Sequence, residues 1–182
     1  MRVAVVGTHG SGKTTLVEDF LARMPGYGHE AEPFLEMADL GTVFADPPDF
    51  DDFVAQAEFA IGRLHDRAGE ADVIFDRSPL DLLAYAGVVG RAEDRAVPDD
   101  LAEAATEAMR SLGLVAFLPL SEPDEIAAAI ERPKLRARVD RRLKALLRDD
   151  EGGLFDGDGP RLVVLRGPPA RRLAGLVRAI GA

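Results

Sequence analysis

Val3-Ala4-Val5-Val6-Gly7-Thr8-His9-Gly10-Ser11-Gly12-Lys13-Thr14-Thr15 decides how this chain is read. Val3 to Val6 is a short, wholly apolar run in which every residue but Ala4 is β-branched, the pattern of a central strand buried on both faces. The glycines at 7, 10 and 12 then let the backbone approach an anion closely, and successive N–H groups of such a loop converge on one point. From Thr14 to Met24, Leu16, Val17, Phe20 and Leu21 fall near helical spacing until Pro25-Gly26 stops them. The helix adds its positive end to the same point. Lys13 supplies a point charge for the outer phosphates of a nucleoside triphosphate, and the Thr14 hydroxyl suits a bridging Mg²⁺. A complete motif between a strand and a helix predicts that residues Gly7, Thr8, His9, Gly10, Ser11, Gly12, Lys13, Thr14 and Thr15 bind nucleotide.

The remainder of the chain is consistent with one unit spanning residues 1–182, because 47% hydrophobic content at this length supports a core without staples. Absence of cysteine excludes disulfides, thiolate metal sites and a cysteine nucleophile. Met1 to Val6 is too short for a secretory signal, and no later apolar run approaches the roughly 18 residues of a membrane span. A soluble, cytoplasmic protein without a membrane partner is expected. A formal charge of −10 disfavours nucleic acid as a partner, since phosphate contacts dominate that affinity. A small nucleotide remains compatible, and the oligomeric state is left open, a homodimer included.

Further apolar runs at Ala71 to Phe75, Leu114 to Leu118 and Arg161 to Leu165 read as strands, with a short one expected near His29 to Glu32. Helical patterns fill the intervals: Pro33 to Leu40, Asp49 to about Ala68, Pro79 to Val89, Asp99 to Leu112, Pro123 to Asp150 with a possible break at Pro133, and the C-terminal stretch carrying Leu173, Leu176, Val177 and Ile180. Strands alternating with helices predict an α/β fold with a parallel sheet covered on both faces.

Asp76 ends an apolar strand, so its carboxylate is expected at the sheet edge that carries the glycine loop. There it suits Mg²⁺ or serves as general base toward an acceptor hydroxyl, and Arg77 neutralises phosphate or acceptor charge. Asp81 reads as a first-turn residue of the next helix. Arg132 and Arg136, four apart in a basic run, share a face if Pro133 begins a new helix, and arginine matches the charge spread over a transferring phosphoryl group. The competing reading of that run is a solvated surface face, to which Arg138, Arg141 and Arg142 mostly belong.

Together the glycine loop and Phe75-Asp76-Arg77-Ser78-Pro79-Leu80-Asp81-Leu82-Leu83-Ala84-Tyr85-Ala86 resemble the AAA-like ATPase/kinase family that includes the ribosylnicotinamide kinase domain of NadR. That family is in turn similar to nucleoside and nucleotide kinases, and Val163-Val164-Leu165-Arg166-Gly167-Pro168 extends the match nearly to the end of the chain. The resemblance implies a P-loop NTPase three-layer sandwich of nucleotide-kinase type, with five parallel strands and a helical lid within residues 119–150 that bears Arg132 and Arg136. It also implies phosphoryl transfer from ATP, with Mg²⁺, to a small acceptor it does not name. Arg166, Gly167 and Pro168 then lie where related kinases hold adenine, with Arg166 able to stack on the base. No guanine-reading Asn/Thr-Lys-x-Asp motif occurs, which favours ATP.

On the acceptor side the sequence leaves Glu32 and Glu36 as alternatives. Phe34, Phe44, Phe50 and Phe53 fit either an apolar acceptor pocket or the core. His9, His29 and His65 lack metal-ligand spacing, so no zinc site is assigned. Catalytic candidates are therefore Lys13, Asp76, Arg77, Arg132 and Arg136, and metal candidates Thr14 and Asp76. Two functions remain: a small-molecule kinase, and a nucleotide-dependent switch or sensor that slowly hydrolyses ATP and contacts a protein partner. A roomy polar pocket beside Asp76 would favour the first. A filled cleft with an exposed apolar patch would favour the second.

Overall fold

The computed structural model describes residues 1–121, 131–150 and 152–181. Its strands are β1 (Val3–Val6), β2 (Gly28–Glu30), β3 (Val73–Asp76), β4 (Leu114–Phe117) and β5 (Arg161–Val164). The helices are α1 (Lys13–Arg23), α2 (Pro33–Asp39), α3 (Phe50–Asp66), α4 (Pro79–Gly90), α5 (Asp99–Met109), α6 (Pro133–Arg148) and α7 (Pro169–Ile180). All strand pairs are parallel, in the order β2-β3-β1-β4-β5. β1 is thus central, with Val3 in register with Ile74 on one side and Leu114 on the other.

The unbroken apolar character of β1 follows from its position. Ala4 and Val6 join Phe75, Val115 and Phe117 in a core beneath α3, α4, α5 and α6. Val3 and Val5 turn to the opposite face, where Ile74, Leu114 and Ala116 pack against Leu16, Val17 and Phe20 of α1 and Leu176 of α7. Val3 to Val6 are fully buried, and each such valine contributes about 1.5–3 kcal/mol of burial. The result is the expected three-layer α/β sandwich with five parallel strands. No helix among the described residues is long and apolar enough to cross a membrane.

Local chemistry sets the boundaries. Asp49 accepts from the Asp52 N–H while Asp52 accepts from the Asp49 N–H, a reciprocal cap that starts α3 next to the expected Asp49. The second strand is shifted from the expected His29 to Glu32: pairing runs from Gly28 opposite Val73 to Glu30 opposite Phe75, and Pro33 opens α2 immediately afterwards. That leaves Ala31-Glu32 as the turn leading out of the sheet. The helix expected over Pro123 to Asp150 is seen as α6, which begins at Pro133; residues 122–130 lie outside the described residues. Arg132, at the α6 N-cap just before Pro133, has left-handed backbone (φ 54°).

Candidate functional site: the phosphate loop and the ends of β1 and β3

Because β1 has β3 on one side and β4 on the other, the crossovers diverge at its C-terminal end, and a crevice opens where α/β sheets bind ligands. The loop from Gly7 to Gly12 sits there and runs into α1. A Cβ at Gly7 would come within 2.6 Å of the Ser11 hydroxyl and 2.8 Å of the Leu118 carbonyl, so the tight fold of the loop depends on glycine. Gly12 has φ +90° and caps α1. Lys13 lies inside, only 5% exposed, and donates to the Thr8 carbonyl at 3.1 Å. Burial, reinforced by Arg77, lowers its pKa to about 8 against the opposing carboxylates of Asp81, Glu32 and Asp76.

Three helices brace the loop. From α4, Asp81 accepts from the Gly7 N–H at 2.7 Å while its other oxygen accepts from the Ser78 N–H and hydroxyl, so one buried carboxylate caps α4 and fixes the loop entrance. Tyr85 follows one turn later on the same face: its hydroxyl accepts from the His9 N–H at 2.7 Å and meets the Thr8 hydroxyl at 3.0 Å and His9 Nδ1 at 2.7 Å. From α6, Arg136 donates to the His9 carbonyl at 2.9 Å and the Gly10 carbonyl at 3.1 Å. From α7, Arg172 donates to the Ser11 carbonyl at 2.6 Å. The carbonyls of His9, Gly10 and Ser11 are thereby held by arginines, while the N–H groups of Gly7, His9 and Ser11 are engaged within the protein, so an anion would draw on the other loop N–H groups.

The end of β3 supplies the second half of the site. Asp76 is 4% exposed; its Oδ2 accepts from the Thr14 hydroxyl at 3.2 Å and its buried Oδ1 has no protein partner. Burial pushes this carboxyl above its ordinary range, and Glu32 adds to the shift against Lys13 and Arg77. A hydroxyl and a half-satisfied buried carboxylate side by side are oxygen donors of the kind Mg²⁺ takes. Arg77 is buried, with positive φ (88°). Its Nε donates to Glu32 and its guanidinium lies over the Tyr85 ring, 5.4 Å from the centroid. Glu32 is held below the ordinary carboxylate range: burial works against ionisation, but Arg77 and then Lys13 outweigh it. Tyr85 also stacks on Phe53 at 4.9 Å between centroids, joining the loop to α3.

A family model described as AAA domain matches residues 2–152, a span that contains the loop, both strand ends and all of α6. The chain belongs to the AAA domain family. Among solved structures, deoxyadenosine kinase from M. mycoides with products dCMP and a flexible dCDP bound aligns with a TM-score of 0.67 at 16% identity, covering 100% of this chain and 99% of that one. NadR in complex with NAD and AMP-PNP gives a TM-score of 0.65 at 17% identity, over 100% of this chain but 49% of that chain, so this chain spans about half of NadR. The YorR protein from Bacillus subtilis in complex with phosphorylated GDP gives 0.63 at 12% identity, over 100% and 96%. At these identities the likeness establishes the fold, that of P-loop nucleoside and nucleotide kinases. None of the curated proteins matches the sequence.

Within this AAA domain the predicted residues fall into two groups. The loop residues, Asp76, Arg77 and Arg136 come together around the β1 end. Arg132 does not join Arg136: it stays exposed at the α6 N-cap, whereas Arg136 is buried against the loop. Arg166, Gly167 and Pro168 are exposed on the segment between β5 and α7. Of the alternative acceptor-side acids, Glu32 meets Arg77, while Glu36 faces Arg63 at 3.7 Å. Tyr85 and Arg172 were not singled out from sequence. Tyr85 was accessible through its spacing of four from Asp81. Arg171 and Arg172 stand in the first turn of α7, where the helix dipole disfavours cations, and that misfit was the available signal for an outside partner.

Proposed function

We propose that this protein is a Mg²⁺-dependent, ATP-using kinase for a small hydroxyl-bearing acceptor of nucleoside or nucleotide type. The observation that carries the reading is the convergence at one sheet edge of the phosphate loop, the Thr14–Asp76 contact and the Arg77–Glu32 pair. Lys13 and the loop N–H groups would hold the triphosphate. Thr14 and Asp76 would hold Mg²⁺, which when bound neutralises phosphate charge and orients the γ-phosphoryl group. In the transfer the acceptor oxygen bonds to the γ-phosphorus, the bond from that phosphorus to the ADP oxygen breaks, and the acceptor proton passes to a carboxylate. Glu32 is our candidate base, because Arg77 keeps it ionised and Asp76 is engaged with Thr14. Arg77 and Arg136, with Arg132 brought in by lid closure, would offset charge on the transferred group. Arg166, Gly167 and Pro168 would border the base.

Nucleotide binding with and without Mg²⁺, together with acceptor phosphorylation, tests these roles. Asp76→Asn should keep metal-free ATP binding and lose the gain that Mg²⁺ gives. Glu32→Gln should keep both and lower phosphorylation by about a hundredfold or more, the range of general-base contributions. A Glu32→Gln protein that turns over at the wild-type rate would remove Glu32 from the mechanism.

Two observations favour the second reading, a nucleotide-dependent switch that hydrolyses ATP. The recess lined by Glu30, Arg63, Asp76 and Arg77 holds only about 10 Å³, room for a water rather than an acceptor. Leu35, Leu40 and Val43, on and just after α2, are 57%, 71% and 93% exposed. Under the kinase reading, the acceptor does not sit in this recess as it stands. Under the switch reading, those side chains meet a protein partner.

A further inference from the structure

We propose that the cleft walled by α4, α5 and α6 is a second binding site, for a small organic anion that carries a phosphate, sulfonate or carboxylate group on an apolar body. The cleft measures about 890 Å³, within the range of small-molecule sites. It is distinct from the nucleotide site because it uses another side of α4. Leu80, Leu83, Gly87 and Arg91 recur at spacings of three and four and face the cleft, whereas Asp81 and Tyr85 turn to the phosphate loop.

Its floor and its rim differ in chemistry. Leu80, Leu83, Val97, Ala102, Leu146 and Leu154 provide an apolar base. Among the described residues the charged lining is Arg91, Arg95, Arg138, Arg141 and Arg142 against Asp99. That concentration of guanidinium groups occurs in a chain with 32 acidic and 22 basic residues, where acidic partners are in excess. Arg95 is committed to Asp51. Among the described residues no ion pair engages Arg91, Arg138 or Arg141. Guanidinium pairs of this kind favour planar or tetrahedral oxyanions, and an apolar floor rewards a ligand body that leaves water. A second copy of the chain fits less well, since a twofold contact would set the same arginines against each other.

The probe is 8-anilinonaphthalene-1-sulfonate, a sulfonate on an aromatic body, titrated into the full chain by fluorescence and calorimetry with saturating Mg²⁺-ATP present. Binding should saturate at one probe per chain. It should weaken about tenfold in Arg138→Ala/Arg141→Ala, the loss expected for charge-assisted hydrogen bonds to one anion. Both positions are exposed, so the variant should keep the wild-type circular dichroism spectrum and melting curve. The uncharged N-phenyl-1-naphthylamine should bind wild type and variant alike. Equal sulfonate affinity in the two proteins would overturn the proposal, as would probe binding that is lost with ATP and present in a parallel titration without it. Sedimentation addresses the rival occupant: a wild-type dimer that dissociates in Arg138→Glu/Arg141→Glu would place a second copy in the cleft and overturn it as well.

Discussion

Lys13 carries its charge inside the protein, and that placement has a measurable consequence. In the free protein its pKa lies at about 8, chiefly through burial. Below that value the ammonium is present and meets the triphosphate directly. Above it the lysine is neutral, so binding an anion must draw a proton from solvent. Nucleotide affinity should be flat on the acid side and fall from about pH 8 upward by nearly tenfold per unit. Calorimetry above that pH, in buffers of different ionisation heat, should record proton uptake approaching one per nucleotide. Affinity that stays level to about pH 10 would mean the lysine keeps its ordinary value. The placement of Gly7 to Thr15 and of Asp76 at one sheet edge was legible in the sequence, where motif and strand end announce themselves. That of Arg172 was not, since its role depends on how α7 lies against a loop far away in sequence.

Between elements, the site is a meeting of helix ends with one loop. Asp81 caps α4 and holds the Gly7 N–H with the same buried carboxylate. Asp81→Ala should therefore cost more than a cap alone, roughly 2–4 kcal/mol, a fall in Tm of roughly 5–15 °C. Ser78→Ala, which leaves the Gly7 bond in place, should cost only about 1 kcal/mol. Equal melting of the two variants would mean the loop contact contributes nothing. Arg172→Ala removes the donor to the Ser11 carbonyl and should weaken ATP binding by roughly three- to tenfold with little change in Tm. Unchanged affinity would reduce α7 to a packing element. Element identity was readable where apolar periodicity was clean, as in β1, β3 and α3. It was shifted at β2, whose Gly28–Glu30 span has little apolar signal of its own and is set by pairing with β3.

For the whole molecule, a buried parallel sheet follows from apolar runs at Val3, Val73 and Leu114 that can be satisfied only by cover on both faces. The order of strands, and with it the apposition of the β1 and β3 ends, comes from crossovers that no local pattern encodes; the family resemblance carried that part. What the fold leaves open is the acceptor, because the recess lined by Glu30, Asp76 and Arg77 is too small for one and Leu35, Leu40 and Val43 stand exposed on and just after α2. The most direct test follows the γ-phosphoryl group itself. ATP labelled with ¹⁸O in its γ-phosphate is incubated with Mg²⁺, the protein and a panel of nucleosides, nucleotides and ribosylnicotinamide, and products are read by mass. A kinase predicts labelled phosphate on one acceptor, dependent on Lys13. Label recovered only as inorganic phosphate, whatever the acceptor, would contradict phosphoryl transfer and leave the hydrolysing switch as the account of this site.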